Sequence, residues 1–296
     1  MNMENSLNMS VDGKTRLYGL IGNPVEHTIS PQIHNSLAEA LNINLVYVPI
    51  HVLEEDLGAA VKGLKTLGFG GFNITIPYKE KVMEYLDDID PTAKAYDAVN
   101  TVLIKNGRLI GYNTDADGFY RAFTESFGCE VVGLNVLIIG AGGAANSIAY
   151  ILANKGAQSI TIANRTLENA QKVCERIKST YKNNLKAVVL NDDMDVSSYD
   201  VIINTSSVGM HPKTEDTVIK NAEFNKNHKV IDIIYNPTET DLLKRARKSG
   251  ASAINGFGML YYQAVIAFET WNSISIPKDI EKKIYDKFSD NLGQII

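Results

Sequence analysis

Gly140-Ala141-Gly142-Gly143-Ala144-Ala145 follows a four-residue apolar stretch, Val136–Ile139, and opens a helix-length amphipathic segment. This G-x-G-x-x-A spacing, between a strand and a helix, suits the pyrophosphate of a dinucleotide. Gly140 permits the tight turn, Gly142 lets a phosphate approach the backbone, and Ala145 keeps helix and strand close. The helix N-terminus adds unpaired N–H groups and the positive end of its dipole. The next strand ends in Asn164-Arg165-Thr166, where an NAD site normally carries an acid for the ribose 2′-hydroxyl. A guanidinium there pairs instead with a 2′-phosphate, which favours NADP over NAD. The plain structural alternative is a solvated Arg165 in a turn, with Thr166 capping the following helix.

Three further segments are unusually polar for the ends of strands and helices. The first is Thr28-Ile29-Ser30-Pro31. Ser30 is a natural N-cap and Pro31 a natural first helical residue; two hydroxyls beside a helix N-terminus also suit a carboxylate. The second is Asn73-Ile74-Thr75-Ile76-Pro77-Tyr78-Lys79, in which Asn73 and Thr75 share a strand face and Lys79 lies just past the strand end. The third joins Asn100-Thr101 to Asn113-Thr114-Asp115. Each alone could be turn chemistry.

Elements able to position these groups alternate along the chain as short apolar runs and amphipathic helices, which argues for α/β architecture with parallel strands. In the first third, strands are expected at Arg16–Gly22, Leu45–Ile50 and Gly71–Ile76, with helices at Pro31–Leu41 and Leu53–Leu67. Val99–Lys105 and Arg108–Tyr112 form a hairpin around the Asn106-Gly107 turn. The second part has strands at Val136–Ile139, Ser159–Ala163, Ala187–Leu190, Val201–Asn204 and Val230–Ile233. Its helices are Asp115–Phe127, Ala144–Lys155, Leu167–Ser179 and Asp241–Ser249. Met259–Trp271 and Lys278–Ile296 complete the helical set.

At 296 residues, 45% hydrophobic and 21% charged, the chain has material for two cores. A net charge of −5 gives no attraction to nucleic acid or an anionic membrane. No run of ~18 apolar residues suggests a membrane span, and Met1 to Thr15 is polar and lacks the apolar run of a secretory leader, so none is expected. Cys129 and Cys174 read as thiols of a reducing cytoplasm. The five histidines show no metal-ligand spacing, so no metal is expected.

Taken together, these segments make the chain resemble the shikimate dehydrogenase family. The resemblance rests on Gly22-Asn23-Pro24, Ser30-Pro31, Asn73 to Lys79, Ala98-Val99-Asn100-Thr101 and Asn113 to Gly118. It continues through Gly140 to Ala144, Asn164 to Thr166, Asn204, Asp232 to Pro237 and Gly256 to Gln263. It implies reversible NADPH-dependent reduction of 3-dehydroshikimate to shikimate, in aromatic amino-acid (chorismate) biosynthesis, without metal. It also implies an N-terminal α/β substrate domain over 16–118, completed by C-terminal helices at 256–296, and a Rossmann-type NADP domain over 119–255. Residues 1–15 would be a flexible extension, the substrate would lie in a cleft between the domains, and the assembly would be a monomer or a homodimer.

Carried over by position, Thr28 and Ser30 bind the substrate carboxylate. Asn73, Thr75, Asn100, Asp115, Tyr235 and Gln263 surround the ring, and Lys79 with Asp115 forms the catalytic pair. Gly140, Ala141, Gly142, Gly143, Ala144, Asn164, Arg165 and Thr166 hold the cofactor, together with Ile233, Gly256 and Met259. Three positions depart from the family pattern: Thr28 replaces a usual serine, Thr205 follows Asn204 where alanine is common, and Asn169 stands where a second basic residue often occurs. Two other readings are a quinate/shikimate dehydrogenase using NAD and a non-catalytic metabolite-binding regulator.

Overall fold

The computed structural model describes residues 11–181 and 184–295, and the chain divides into two compact units. The first runs up to Asn113 and takes in Ala264–Asp290; the second is Thr114–Gln263 with the last residues from Asn291.

In the first unit the chain forms β1 (Arg16–Gly22), α1 (Ser30–Ala40), β2 (Leu45–His51), α2 (Leu57–Thr66) and β3 (Gly71–Ile74). It continues through β4 (Asp88–Ile89), α3 (Pro91–Tyr96), β5 (Thr101–Lys105) and β6 (Arg108–Tyr112). The sheet order is β2-β1-β3-β5-β6-β4. Strands β2, β1 and β3 are parallel, and β5 and β6 form the antiparallel hairpin. Asn106 and Gly107 turn the hairpin at φ values of 53° and 72°, the left-handed pair that a tight two-residue turn demands. Ile21, Phe72, Ile74, Val82, Val99 and Val102 lie in one buried core beneath α2.

The second unit holds α4 (Asp115–Phe127), β7 (Asn135–Ile139), α5 (Gly143–Asn154), β8 (Ser159–Asn164), α6 (Leu167–Lys178) and β9 (Asn184–Val189). These are followed by β10 (Val201–Asn204), β11 (Lys229–Asp232), α7 (Asp241–Lys248) and β12 (Ser252–Ile254). All six strands are parallel, in the order β12-β11-β10-β7-β8-β9. The order reverses between β7 and β10, which is the switch point of a doubly wound nucleotide-binding sheet. Three helices close the chain: α8 (Phe257–Asn272), α9 (Lys278–Ser289) and α10 (Leu292–Ile295).

From Ala264 onward α8 and α9 count with the first unit. Trp271 explains why. Its ring stacks on Tyr18 at 5.0 Å, and its indole N–H donates to the Val102 carbonyl at 2.9 Å. Gly71 makes the room, since a Cβ there would sit 2.4 Å from the indole nitrogen.

Several boundaries differ from the sequence expectation. The units change over at Thr114 and Gln263 rather than at 118 and 255. The expected strand Gly71–Ile76 stops at Ile74, because Thr75 turns away into a loop closed by Tyr78 N–H donating to its carbonyl at 3.0 Å. The expected single helix Lys278–Ile296 breaks after Ser289, at Asp290 and Asn291, residues poor in helix interiors. Helix α3 went unread, although Asp90 caps it by accepting from Thr92 N–H at 2.9 Å and Pro91 starts it. Of the expected extension 1–15, residues 1–10 lie outside the described residues. Asp12 and Thr15 form a turn, and both side chains bond Asn44, at 3.0 and 2.8 Å.

Candidate active site

In the first unit the hydroxyl and amide side chains read from sequence form two hydrogen-bonded groups, one at the start of α1 and one where β3 meets β5. Thr28 Oγ1 donates to Ser30 Oγ at 3.2 Å and accepts the Ser30 N–H at 3.3 Å. That second bond starts α1 one residue early. Ile29 occupies the cap position and Ser30 is the first helical residue, a correction to Ser30 as N-cap. Asn73, 4% exposed, donates from Nδ2 to the Asn100 carbonyl at 3.0 Å and to Thr101 Oγ1 at 2.9 Å. The Thr101 hydroxyl donates to Asn100 Oδ1 at 3.0 Å.

Thr75 sits on the glycine of Gly22-Asn23-Pro24, where a Cβ would come within 2.3 Å of its methyl. Lys79 is half-buried on the following loop, and its backbone is held firmly. Its carbonyl accepts Val99 N–H at 2.8 Å, while its neighbour Tyr78 is fully buried and donates to the Val52 carbonyl at 2.7 Å.

In the second unit Gly140 ends β7 with φ at +109°. A Cβ there would meet Thr205 Oγ1 at 2.7 Å, and Thr205 itself bonds the Ile139 carbonyl at 2.8 Å. Gly142 and Gly143 are different. A Cβ at either meets no protein atom within 4 Å, so the protein's own packing does not require glycine there. Open space over the first backbone N–H groups of α5 fits a phosphate-bearing ligand.

Asn164 ends β8, and its amide donates to the Thr166 carbonyl at 2.8 Å. Arg165 and Thr166 are exposed. Thr166 holds the cap position of α6, but its hydroxyl makes no cap hydrogen bond, contrary to the role expected of it. Ala141 is half-buried on the glycine loop, Ala144 is half-buried in the first turn of α5, and Met259 is half-buried in the first turn of α8.

Asp115 is the first residue of α4, with Thr114 at the cap position. A Cβ on Gly118 would lie 2.6 Å from the Gln263 backbone nitrogen, so α4 rests directly on α8 at Gln263. Gln263 is 8% exposed, and its amide donates to the Leu260 carbonyl at 2.8 Å. Arg121, further along α4, lies over the Tyr262 ring at 4.9 Å.

Sequence reasoning gave no role to the residue at the centre of the second unit's loop system. Asp232 is fully buried at the end of β11. Its Oδ1 accepts from Asn204 Nδ2 and from the Ile234 N–H, both at 3.1 Å, and its Oδ2 accepts from Thr240 Oγ1 at 2.7 Å. This single carboxyl ties the loop after β10 to the segment bearing Ile233 and half-buried Tyr235. Ile233 in turn donates its N–H to the Asn204 carbonyl at 3.0 Å. Burial pushes the Asp232 carboxyl up from 3.8 to about 6, opposed by the three hydrogen bonds. A folded value above the unfolded one favours the native state in acid, and that contribution is lost as pH rises through about 6. Relative to Asp232→Asn, the wild-type protein is therefore expected to lose stability between pH 4 and pH 8, measured by denaturant unfolding. A stability gap that does not change with pH would show that the carboxyl is not titrating in that range.

A protein-family model described as the shikimate dehydrogenase substrate binding domain matches residues 20–102. A second, described as shikimate / quinate 5-dehydrogenase, matches residues 124–241. The chain is 43% identical over 276 residues to a Carboxydothermus hydrogenoformans protein named shikimate dehydrogenase (NADP(+)), covering 93% of this chain and 98% of that one. Among solved structures, it is similar to a shikimate dehydrogenase in complex with NADP+, with a TM-score of 0.85 and 40% identity, covering 94% and 97% of the two chains. It is also similar to shikimate 5-dehydrogenase from Listeria monocytogenes in complex with shikimate and NAD, with a TM-score of 0.85 and 33% identity, covering 93% and 97%.

Proposed function

The chain belongs to the shikimate dehydrogenase family, and from that premise we propose that it catalyses the reversible, NADPH-dependent reduction of 3-dehydroshikimate to shikimate. The observation that carries the reading is the polar array of Asn73, Thr101 and Asn100 gathered at adjoining strand ends, with the Thr28 and Ser30 hydroxyls paired at the start of α1. Packing alone has no use for so many hydrogen-bonding groups in one place, whereas a polyhydroxylated acid does.

Thr28 and Ser30 hold the carboxylate at the start of α1. Thr75, Asn100, Tyr235 and Gln263 meet the ring and its hydroxyls, with Asn73 ordering the amide beside it. Ketone reduction leaves an oxyanion that needs a proton and a counter-charge. Lys79 supplies both at that oxygen, and Asp115 is the second member of the catalytic pair, orienting the adjoining hydroxyl. NADPH, when bound, supplies the hydride.

For the cofactor, the open space at Gly142 and Gly143 admits the pyrophosphate, and exposed Arg165 reaches the 2′-phosphate. Ala141, Ala144, Asn164 and Thr166 line the same loops, and Ile233, Gly256 and Met259 border the nicotinamide end. Free thiols at Cys129 and Cys174 suit a reducing cytoplasm. Quinate oxidation with NAD is the competing reading, disfavoured by the absence of an acid at Asn164-Arg165-Thr166.

Initial rates with shikimate and quinate, each with NADP and NAD, decide between them. NADP reduction by shikimate should be the fastest of the four, and Arg165→Ala should raise the KM for NADP about tenfold or more while leaving that for NAD nearly unchanged. Faster quinate turnover with NAD would overturn the assignment. Equal effects of Arg165→Ala on both cofactors would remove it from the 2′-phosphate.

A further inference from the structure

Asn73, expected to bind substrate in the first unit, is bonded by a side chain that lies outside the motifs. Tyr47, on β2, is 1% exposed, and its hydroxyl donates to Asn73 Oδ1 at 2.8 Å. The orientation of the Asn73 amide follows from its other neighbour. A backbone carbonyl can only accept, so the atom facing the Asn100 carbonyl at 3.0 Å is nitrogen. Both Asn73 donors are then spent, on Asn100 and Thr101, and Oδ1 must face the tyrosine. Thr101, having accepted from Asn73, passes its own proton to Asn100 Oδ1. Three side chains thus hand one direction of hydrogen bonding from Tyr47 to Asn100, and each link strengthens the next in a dry interior.

Tyr47 is itself held from three sides. Asn35, on α1, takes both of its backbone groups, accepting Tyr47 N–H at 2.9 Å and donating to its carbonyl at 3.0 Å. The ring stacks on His34 at 4.2 Å and 13°, and Trp271 lies 6.1 Å away. His34 is fully buried with both ring nitrogens unpartnered, and burial lowers it to about 3, so it stays neutral and serves the stack. A phenylalanine would fill this slot equally well. The hydroxyl is therefore there for its hydrogen bonds.

We infer that Tyr47 is a positioning residue for the proposed reaction: its hydroxyl fixes the Asn73 amide, and through Asn73 and Thr101 it fixes which end of the Asn100 amide meets the substrate. The inference rests on the reading of Thr28, Ser30 and Asn100 as shikimate-binding residues. Tyr47 acts through other side chains, so its loss weakens substrate binding and leaves the cofactor alone.

The test is steady-state kinetics of the full-length protein carrying Tyr47→Phe, Thr101→Val or both. Tyr47→Phe should raise the KM for shikimate about tenfold, with kcat within threefold and the KM for NADP within twofold. Thr101→Val, which cuts the same relay one link later, should show the same split. The double variant should match the larger single effect, because a broken chain cannot be broken twice. An unchanged KM for shikimate in the folded Tyr47→Phe protein would overturn the inference, as would a double variant whose effects multiply. If Tyr47→Phe does not fold, Thr101→Val decides the matter by the same split. A wild-type protein that oxidises no shikimate would overturn the functional reading itself and this inference with it. An active wild type with an indifferent Tyr47→Phe variant overturns the inference alone.

Discussion

Lys79→Ala is expected to lower turnover with shikimate by roughly 10² or more, the usual scale for a positioned acid–base group. The structural argument is that the loop spends its anchoring elsewhere. Tyr78 is buried and bonded to Val52, and the Lys79 carbonyl is taken by Val99 N–H. Truncating the Lys79 side chain removes none of these contacts, so the loop should keep its course. A large loss of kcat in a protein of unchanged stability would then report chemistry. The measurement is kcat at saturating shikimate and NADP, alongside a thermal melt. Turnover within a few-fold of wild type would remove Lys79 from the reaction.

Gly256→Ala is expected to be the most damaging single methyl in the second unit. A Cβ at Gly256 would lie 1.8 Å from the Ile233 carbonyl oxygen and 2.3 Å from its carbon. These are backbone atoms, and Gly256 N–H is already bonded to the Ile234 carbonyl at 3.0 Å, so neither segment can step aside. Overpacking of this kind costs about 3 kcal/mol or more, a fall of roughly 6–12 °C in Tm for a unit of this size. Gly142→Ala is the contrast. Its φ of −89° is ordinary and its Cβ meets nothing, so Tm should hold while the KM for NADP rises. A Gly256→Ala protein with unchanged Tm would refute the packing argument. A Gly142→Ala protein with unchanged KM would show that no phosphate approaches there.

The contrast between these glycines shows what the sequence could and could not convey. The G-x-G-x-x-A spacing was legible because a tight turn and a close ligand approach both demand glycine locally. The demand at Gly256 comes from Ile233, across a loop, and has no local signature. The hairpin was legible for the same local reason, through Asn106-Gly107. Helix α3 carried an equally local signal in Asp90-Pro91, but at six residues it is too short to show periodicity. Tyr47 lies within a strand that was correctly anticipated, yet its partner Asn73 is 26 residues further on. Strand alternation says that such a residue points inward; it does not say that its hydroxyl will find an amide. Asp232 was noticed only as part of a motif, because its side-chain donors are Asn204, 28 residues back, and Thr240, eight residues on.

The order of strands in the two sheets bears on how the protein keeps to itself. Each open sheet has two outer strands, and an outer strand with unused N–H and C=O groups invites pairing with another molecule. Here β4 has two residues and β12 has three, too few to template a ladder. Strand β2 is longer but carries Pro49, which has no N–H to offer a newcomer. Strand β9 carries Lys186 exposed at its third position, a charge that would have to be stripped of water before a neighbouring strand could dock. All four margins are blunted by different means, so neither sheet presents a long bare edge from which fibrous or amorphous aggregates could grow.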